Sequence, residues 1–406
     1  MKEIHSKSQR RERITRINSK VGRDINRSII LNTIRRHQPI SRAEISEITL
    51  LNKSTVSDIV TLLLEEDLLV ESADRGGGVG RTRVNLSIKN GKHFVAAISV
   101  DAPVTQVAIV DIDGTIMARE EVPTKPSSPA DLISLCMERI HAMRSALGPH
   151  RLRGLGVSVA GIVDAGRSKV IHAANLGWTD EDLGAELRSH APEVEFISIE
   201  NDAKSAVLAE MLLGKHTLTS SNLIFLLLGA GIGAGIAIHG RILSGTSHAA
   251  GEVGHMTVVE GGDPCQCGNA GCWELYASER APVRWYAEAK NGTVTKDQRV
   301  ANVYQAARGN DKDAVNALHR WAEHIGVGIG DMISILDPEA VIVGGSITQV
   351  WDLVQDEITQ AAHGRGTFAR QRTAAVYPTS LSDSPALVGA AALSIRRIFA
   401  DFGLSG

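Results

Sequence analysis

Three times in the first ninety residues hydrophobic positions recur at helical spacing, and then the pattern changes to short alternating runs. Between Asp24 and Arg36, Ile25, Ile29, Ile30 and Ile34 predict a first helix, which Pro39 ends. Ser41-Arg-Ala-Glu44 reads as a capping box, in which serine and glutamate satisfy each other's backbone N–H, and predicts a short second helix to about Ile48. From Asn52 or Lys53, Val56, Ile59, Val60, Leu63 and Leu64 fall on one face of a third helix, with Lys53, Ser54, Thr55, Ser57 and Asp58 on the others. Leu68–Val70 and Val84–Ile88 then read as strands flanking the glycine-rich loop Arg75–Arg83. Three helices and a basic hairpin predict a winged helix-turn-helix over residues 23–90, preceded by a basic arm, 1–22.

From about residue 93 strands at Phe94–Val100, Val107–Val110, Leu155–Val159, Phe196–Ile199, Leu223–Leu228, Ile236–Ile238 and Ala340–Val343 alternate with helical stretches such as Ala130–Ala146 and Ala203–Leu213. Alternation of this kind predicts an α/β body, here with a first lobe over 91–215 and a second over 216–406. Its C-terminal helix is expected to pack back on the first lobe.

Charge separates these regions further. Residues 1–90 hold 17 Lys/Arg against 11 Asp/Glu, and the remainder 26 against 35. A basic head on an acidic body suits a polyanion bound at one end. The polar tip of the third helix, with Lys53, Ser54, Thr55 and Ser57, is the candidate for the major groove, and Arg75, Arg81 and Arg83 of the loop are candidates for DNA backbone or minor groove. No run of eighteen apolar residues and no apolar leader at the N-terminus occur, so membrane insertion is not expected and a cytoplasmic location is.

Of four cysteines, Cys136 stands alone as a core residue, whereas Cys265-Gln-Cys267-Gly-Asn-Ala-Gly-Cys272 puts three thiols within eight residues. Three thiolates at this spacing, with His255 of Gly251-Glu-Val-Gly-His255 as fourth ligand, suit one structural zinc ion per chain. The Cys-x-Cys pair does not have the spacing of a redox motif.

These two segments together resemble the signature of the ROK family of repressors, open reading frames and sugar kinases. Gly156-Val-Ser-Val-Ala-Gly161-Ile-Val-Asp164, Asn175-Leu-Gly-Trp178, Glu200-Asn-Asp202, Gly229-Ala-Gly-Ile-Gly-Ala-Gly235 and Val341-Ile-Val-Gly-Gly345 follow in the family's order. The resemblance covers roughly residues 93–400, with the winged helix of the repressor branch. It implies an actin-like, ribonuclease-H-like pair of lobes with a sugar in the cleft. It also implies that Asn201, Asp202, Glu252, His255 and Glu274 bind sugar hydroxyls, and that Asp202 matches the base of the family's kinases. Those kinases cradle ATP with a first glycine turn of the type Asp-x-Gly-Gly-Thr. Here that turn reads Asp101-Ala-Pro-Val-Thr105, where Pro103 removes an N–H donor, so kinase activity is expected to be lost.

The reading that results is a sugar-responsive transcriptional repressor, a homodimer or larger homo-oligomer. It binds operator DNA of a carbohydrate-utilisation operon and is modulated by a monosaccharide such as xylose, glucose or N-acetylglucosamine. An active sugar kinase, or a repressor titrated by a sugar-transport protein, are the alternatives.

Overall fold

The computed structural model describes residues 19–74, 83–124, 128–148, 151–215, 221–295, 298–364, 374–381 and 384–399. The chain divides into two compact units, Met1–Lys89 with Arg397–Gly406, and Asn90–Arg396.

The first unit contains α1 (Ser19–His37), β1 (Ile40–Ser41), α2 (Arg42–Thr49), α3 (Lys53–Glu65), β2 (Leu69–Asp74) and β3 (Arg83–Ile88), with the strands in antiparallel order β1-β3-β2. Helix α1 starts at Ser19, so residues 19–22 belong to it and not to a separate arm. Of these four residues Gly22 is the poorest helix former, at a cost of about 1 kcal/mol. Ile30, Leu31 and Ile34 of α1 meet Ile45 of α2 and Val56, Ile59, Val60 and Leu63 of α3 in a fully or almost fully buried core, whereas Ile29 turns outward. The capping box forms: Ser41 N–H donates to Glu44 Oε2 (2.9 Å) and Glu44 N–H to Ser41 Oγ (3.4 Å). Asn52 caps α3 by accepting from Thr55 N–H at 2.9 Å.

The second unit is built on two five-stranded sheets. In the first, β4 (His93–Val100), β5 (Val104–Asp111) and β6 (Ile116–Pro123) form an antiparallel meander. After α4 (Pro129–Leu147) the chain adds β7 (Arg151–Val159) parallel to β4. A three-stranded flap follows, β8 (Ile162–Val163), β9 (Val170–Ala173) and β10 (Trp178–Glu181), and then α5 (Leu183–His190) and β11 (Phe196–Asn201), parallel to β7. Helix α6 (Asp202–Leu213) leads to the second sheet, which repeats this plan: an antiparallel meander of β12 (Leu223–Leu228), β13 (Ile232–Ile238) and β14 (Arg241–Ile242). Beyond α7 (Glu274–Ala277), α8 (Arg280–Ala289), α9 (Val300–Arg308) and α10 (Lys312–Leu336), β15 (Ala340–Gly345) pairs parallel to β12. After α11 (Trp351–His363), β16 (Ala375–Pro378) pairs parallel to β15, and α12 (Pro385–Phe399) ends the described chain. Each sheet has its own core, one around Phe94, Ile98, Ile133 and Leu155, the other around Leu226, Trp273, Trp321 and Ile329.

Helix α6 is buried from Ala203 to Glu210. Three glycines make room for it and its neighbours: a Cβ at Gly235 of β13 would lie 2.2 Å from Ala203 O, one at Gly389 of α12 would lie 2.6 Å from Ser205 C, and one at Gly156 of β7 would lie 1.8 Å from Ala390 O. Asn201, Asp202 and the loops after β14 therefore stand where the two sheets face a shared helix. Among the described residues no helix is long and apolar enough to cross a membrane.

Candidate functional site

The long segment between β14 and α7 carries two of the predicted motifs. It has little regular structure and is held by backbone bonds: Cys265 N–H to Asn269 O (2.8 Å), Gly271 N–H to Asp263 O (2.8 Å) and Trp273 N–H to Met256 O (2.8 Å). Gly268 (φ +92°) and Gly271 (φ +69°) take the left-handed turns, and a Cβ at Gly271 would lie 1.7 Å from Val259 O. The folded loop gathers one donor atom each from His255, Cys265, Cys267 and Cys272 within 4.8 Å of one another. His255 Nδ1 lies 3.8 Å from Cys265 Sγ, and Cys267 Sγ 3.6 Å from Cys272 Sγ. Tetrahedral zinc, with bonds of about 2.3 Å to sulfur and about 2.0–2.1 Å to nitrogen, spaces its donors by about 3.5–3.8 Å. The four residues thus fit a metal ion of this kind. The next residue, Trp273, is fully buried and donates its indole N–H to His324 O of α10 at 2.7 Å, which fixes the loop to the core.

Glu274 lies at the junction of the loop and a cluster of carboxylates. Its Oε1 is 3.2 Å from Cys265 Sγ and 3.5 Å from His255 Nδ1, and a Cβ at Gly231 would come within 3.4 Å of its Oε2. Glu252, three residues before His255, interacts electrostatically with Glu274 and Asp202. Asp202 starts α6 and is half-buried. Burial first, then the charges of Asp101 and Glu252, raise its pKa to about 7, against the hydrogen bond that its Oδ1 accepts from Ala203 N–H (2.8 Å). Burial also raises Glu252, with His255 and Lys204 opposing, and raises Asp101 against the N–H of Ala102.

The predicted sugar residues Asp202, Glu252, His255 and Glu274 therefore converge. Asn201 is beside them but partly committed, because its Oδ1 caps α6 at Lys204 N–H (3.0 Å) and its Nδ2 donates to Gly161 O (3.0 Å). Sequence reasoning did not mark Lys204 or Glu279 as members of this region. Glu279 accepts from Ser346 Oγ at 2.5 Å, its N–H donates to Gly229 O (2.9 Å), and its carboxyl is raised by burial, with Asp101 adding to the shift.

The Asp101–Thr105 turn, compared above with a phosphate cradle, and the glycine-rich turn Gly229–Gly235 differ in what they offer. At Asp101–Thr105, Ala102 N–H is taken by Asp101 Oδ1 (2.7 Å), Pro103 has none, and Pro103 O accepts from Thr124 N–H (2.9 Å). In the second turn Gly229 N–H bonds Gly231 O (3.0 Å), and Gly233 and Gly235 face α6, where they allow close packing. The first turn has lost its first two amide donors to its own chain and to proline, and Asp101 and Glu279 bring negative charge beside it.

In the first unit Lys53, Ser54 and Ser57 are exposed at the start of α3 and Thr55 is half-buried. Ser54 Oγ donates to Asn52 Oδ1 (2.9 Å), so its proton belongs to the helix cap. Arg75 and Arg81, and the side chain of Arg83, lie outside the described residues.

Comparison with known proteins bears on both units. The profile of the ROK family matches residues 95–397. A xylose repressor of Bacillus spizizenii is 30% identical over 376 residues, 92% of this chain and 95% of that protein. A glucokinase of Streptomyces coelicolor is 33% identical over 315 residues, which is 96% of the kinase but only 73% of this chain. The crystal structure of a ROK family transcriptional regulator, a homologue of the Escherichia coli MLC protein, superposes with a TM-score of 0.79 at 22% identity, covering 93% of this chain and 97% of that one. The share of the chain that the kinase leaves unmatched is about the size of the winged-helix unit.

Proposed function

The chain belongs to the ROK family, and from that premise we propose that it is a sugar-responsive transcriptional repressor. One observation carries the reading: a winged helix-turn-helix is joined in one chain to a body that gathers Asp202, Glu252, His255 and Glu274. Vicinal hydroxyls of a monosaccharide need such groups, because a buried hydroxyl left unpaired costs about 1–3 kcal/mol. Asn201 completes the set through its backbone position and its role as cap of α6.

Zinc held by His255, Cys265, Cys267 and Cys272 would have four protein ligands and no open position, and so act structurally by fixing the loop. With Nδ1 turned toward the cysteines, His255 has Nε2 left for a sugar hydroxyl. Phosphoryl transfer is not supported: Asp202 matches the kinase base, but the Asp101–Thr105 turn offers a poor phosphate cradle. The exposed Lys53, Ser54 and Ser57, with Thr55, read the operator major groove, and Arg75, Arg81 and Arg83 reach backbone or minor groove. The protein works in the cytoplasm as a homodimer or larger assembly, on two half-sites related by its own symmetry.

The ligand reading favours xylose, after the relative named a xylose repressor, over glucose and N-acetylglucosamine. A sugar-transport protein as titrant is the second reading, and the clustered carboxylates favour the small molecule. The test is a gel-shift series with the chain's own upstream DNA and these three sugars. Binding that one sugar abolishes or strengthens supports the reading, and no binding under any condition rejects it. Sugar-dependent ATP turnover that disappears in Asp202→Asn would establish the kinase instead.

A further inference from the structure

We propose that Lys204 is a positioning residue of the sugar site, clamping the loop that carries Glu252 onto the helix that carries Asp202. This rests on the sugar reading above. Lys204 sits in the first turn of α6, two residues after Asp202, and is 3% exposed. Its Nζ donates to the backbone carbonyl of His248 at 2.6 Å, the ammonium's one hydrogen-bond acceptor among the described residues.

The loop it holds is weakly tied to itself. His248 N–H to Gly245 O and Glu252 N–H to Ala249 O are both 3.4 Å, and Ala250 N–H to Ser244 O is 3.1 Å. Three of its residues, Gly245 (φ +76°), His248 (φ +58°) and Gly251 (φ +103°), are left-handed, and for histidine that conformation is strained. Among the described residues, two hydrogen bonds anchor it from outside: Ala234 N–H to Gly251 O (2.8 Å), and Lys204 to His248. Glu252 follows directly, so removing the lysine leaves Glu252 with one fixed side.

Burying an ammonium costs more than one carbonyl bond returns, and a buried charge adds nothing to packing that methionine would not supply. Its charge is matched instead by the site. Glu200 and Glu252 both favour the charged lysine against its burial, and Lys204 in turn opposes the upward shift of Glu252. Arg167, which faces Glu200 at 3.5 Å, is the other cation acting on Lys204. The other titratable neighbours of Glu252 are Asp202, His255, His172 and Glu274. A cation here keeps adjacent carboxylates ordered where they would otherwise repel one another.

The experiment compares wild type, Lys204→Met and Lys204→Arg in full-length protein, by melting temperature without ligand and by operator release with xylose, glucose and N-acetylglucosamine as probes. Lys204→Met, which leaves Glu200 and Glu252 without this cation, is expected to melt below the wild-type temperature and still to bind operator, while the sugar concentration for half-maximal response rises by at least about tenfold. Lys204→Arg, which keeps the cation, should stay within about threefold of wild type. A Lys204→Met protein that responds like wild type overturns the proposal. Wild type that responds to no sugar overturns the sugar reading itself. Should both variants fail to fold, hydrogen exchange on wild type decides: residues 244–252 and 202–206 are expected to gain protection together on sugar binding, and protection of 202–206 alone counts against the clamp.

Discussion

Leu50 carries the turn between α2 and α3 in a left-handed backbone (φ +58°), and 90% of it is exposed. A bulky side chain in that conformation costs about 1–2 kcal/mol, and glycine would give back about 0.5–1 of it through its freer unfolded chain. Leu50→Gly is therefore expected to stabilise the protein by about 0.5–1 kcal/mol, visible as a higher urea midpoint at unaltered m-value. At Asp202 the sign depends on pH. Its folded pKa of about 7 lies above that of an unfolded aspartate, so its contribution is fully present at low pH and is lost as pH rises through 7. Asp202→Asn should then raise stability by about 1–3 kcal/mol at pH 8 and by less at pH 5, while weakening the sugar response. Equal effects at both pH values would contradict the raised pKa. Asp202 was legible in Glu200-Asn-Asp202 because a short motif names it, whereas Lys204, two residues on, was not: lysine in sequence reads as surface, and only the packing of α6 on both sides buries it.

Among the elements, α10 and the cysteine loop depend on each other. A Cβ at Gly328 would meet the Trp273 ring at 2.1 Å, and one at Gly326 or Gly330 would meet the backbone of α11 at 2.5 or 2.8 Å. Gly328→Ala should destabilise the body by about 1–3 kcal/mol or more, through overpacking, and loosen the attached thiols. The check is the midpoint of thermal unfolding together with the rate at which a thiol reagent labels Cys272, normally fully buried. On the zinc reading proposed above, a chelator is expected to lower the melting temperature and the sugar response, with operator binding retained. The three helices of the first unit were legible because one-sided burial writes a 3.6-residue period into them, and the capping box fixed where α2 begins. Two-residue strands such as β1, β8 and β14 carry no period, and the start of α1 lies where no apolar stripe marks it. For α6, buried on every side, periodicity vanishes and only its apolar character and Asn201 mark it.

At the scale of the molecule, the two sheets of the body share one plan, a three-stranded meander extended by two parallel strands. The α/β alternation was legible, but the order of strands was not, because pairing is decided by residues far apart in sequence. A kinase relative that covers 73% of this chain, beside a repressor relative that covers 92% of it, agrees with a body that binds a ligand and a separate unit that acts on DNA. Titration calorimetry should accordingly find sugar binding in the body expressed with residues 90–406, with heat that does not depend on ATP. The close approach of Ala390 O to Gly156 has a consequence during synthesis. The first sheet is finished as a nascent strand array when Asn201 leaves the ribosome, yet the helix that covers its glycine face is among the last segments made. Until translation ends, that face stays open to other chains, so early termination before Pro385 would produce not a shorter sensor but a substrate for chaperones and proteases.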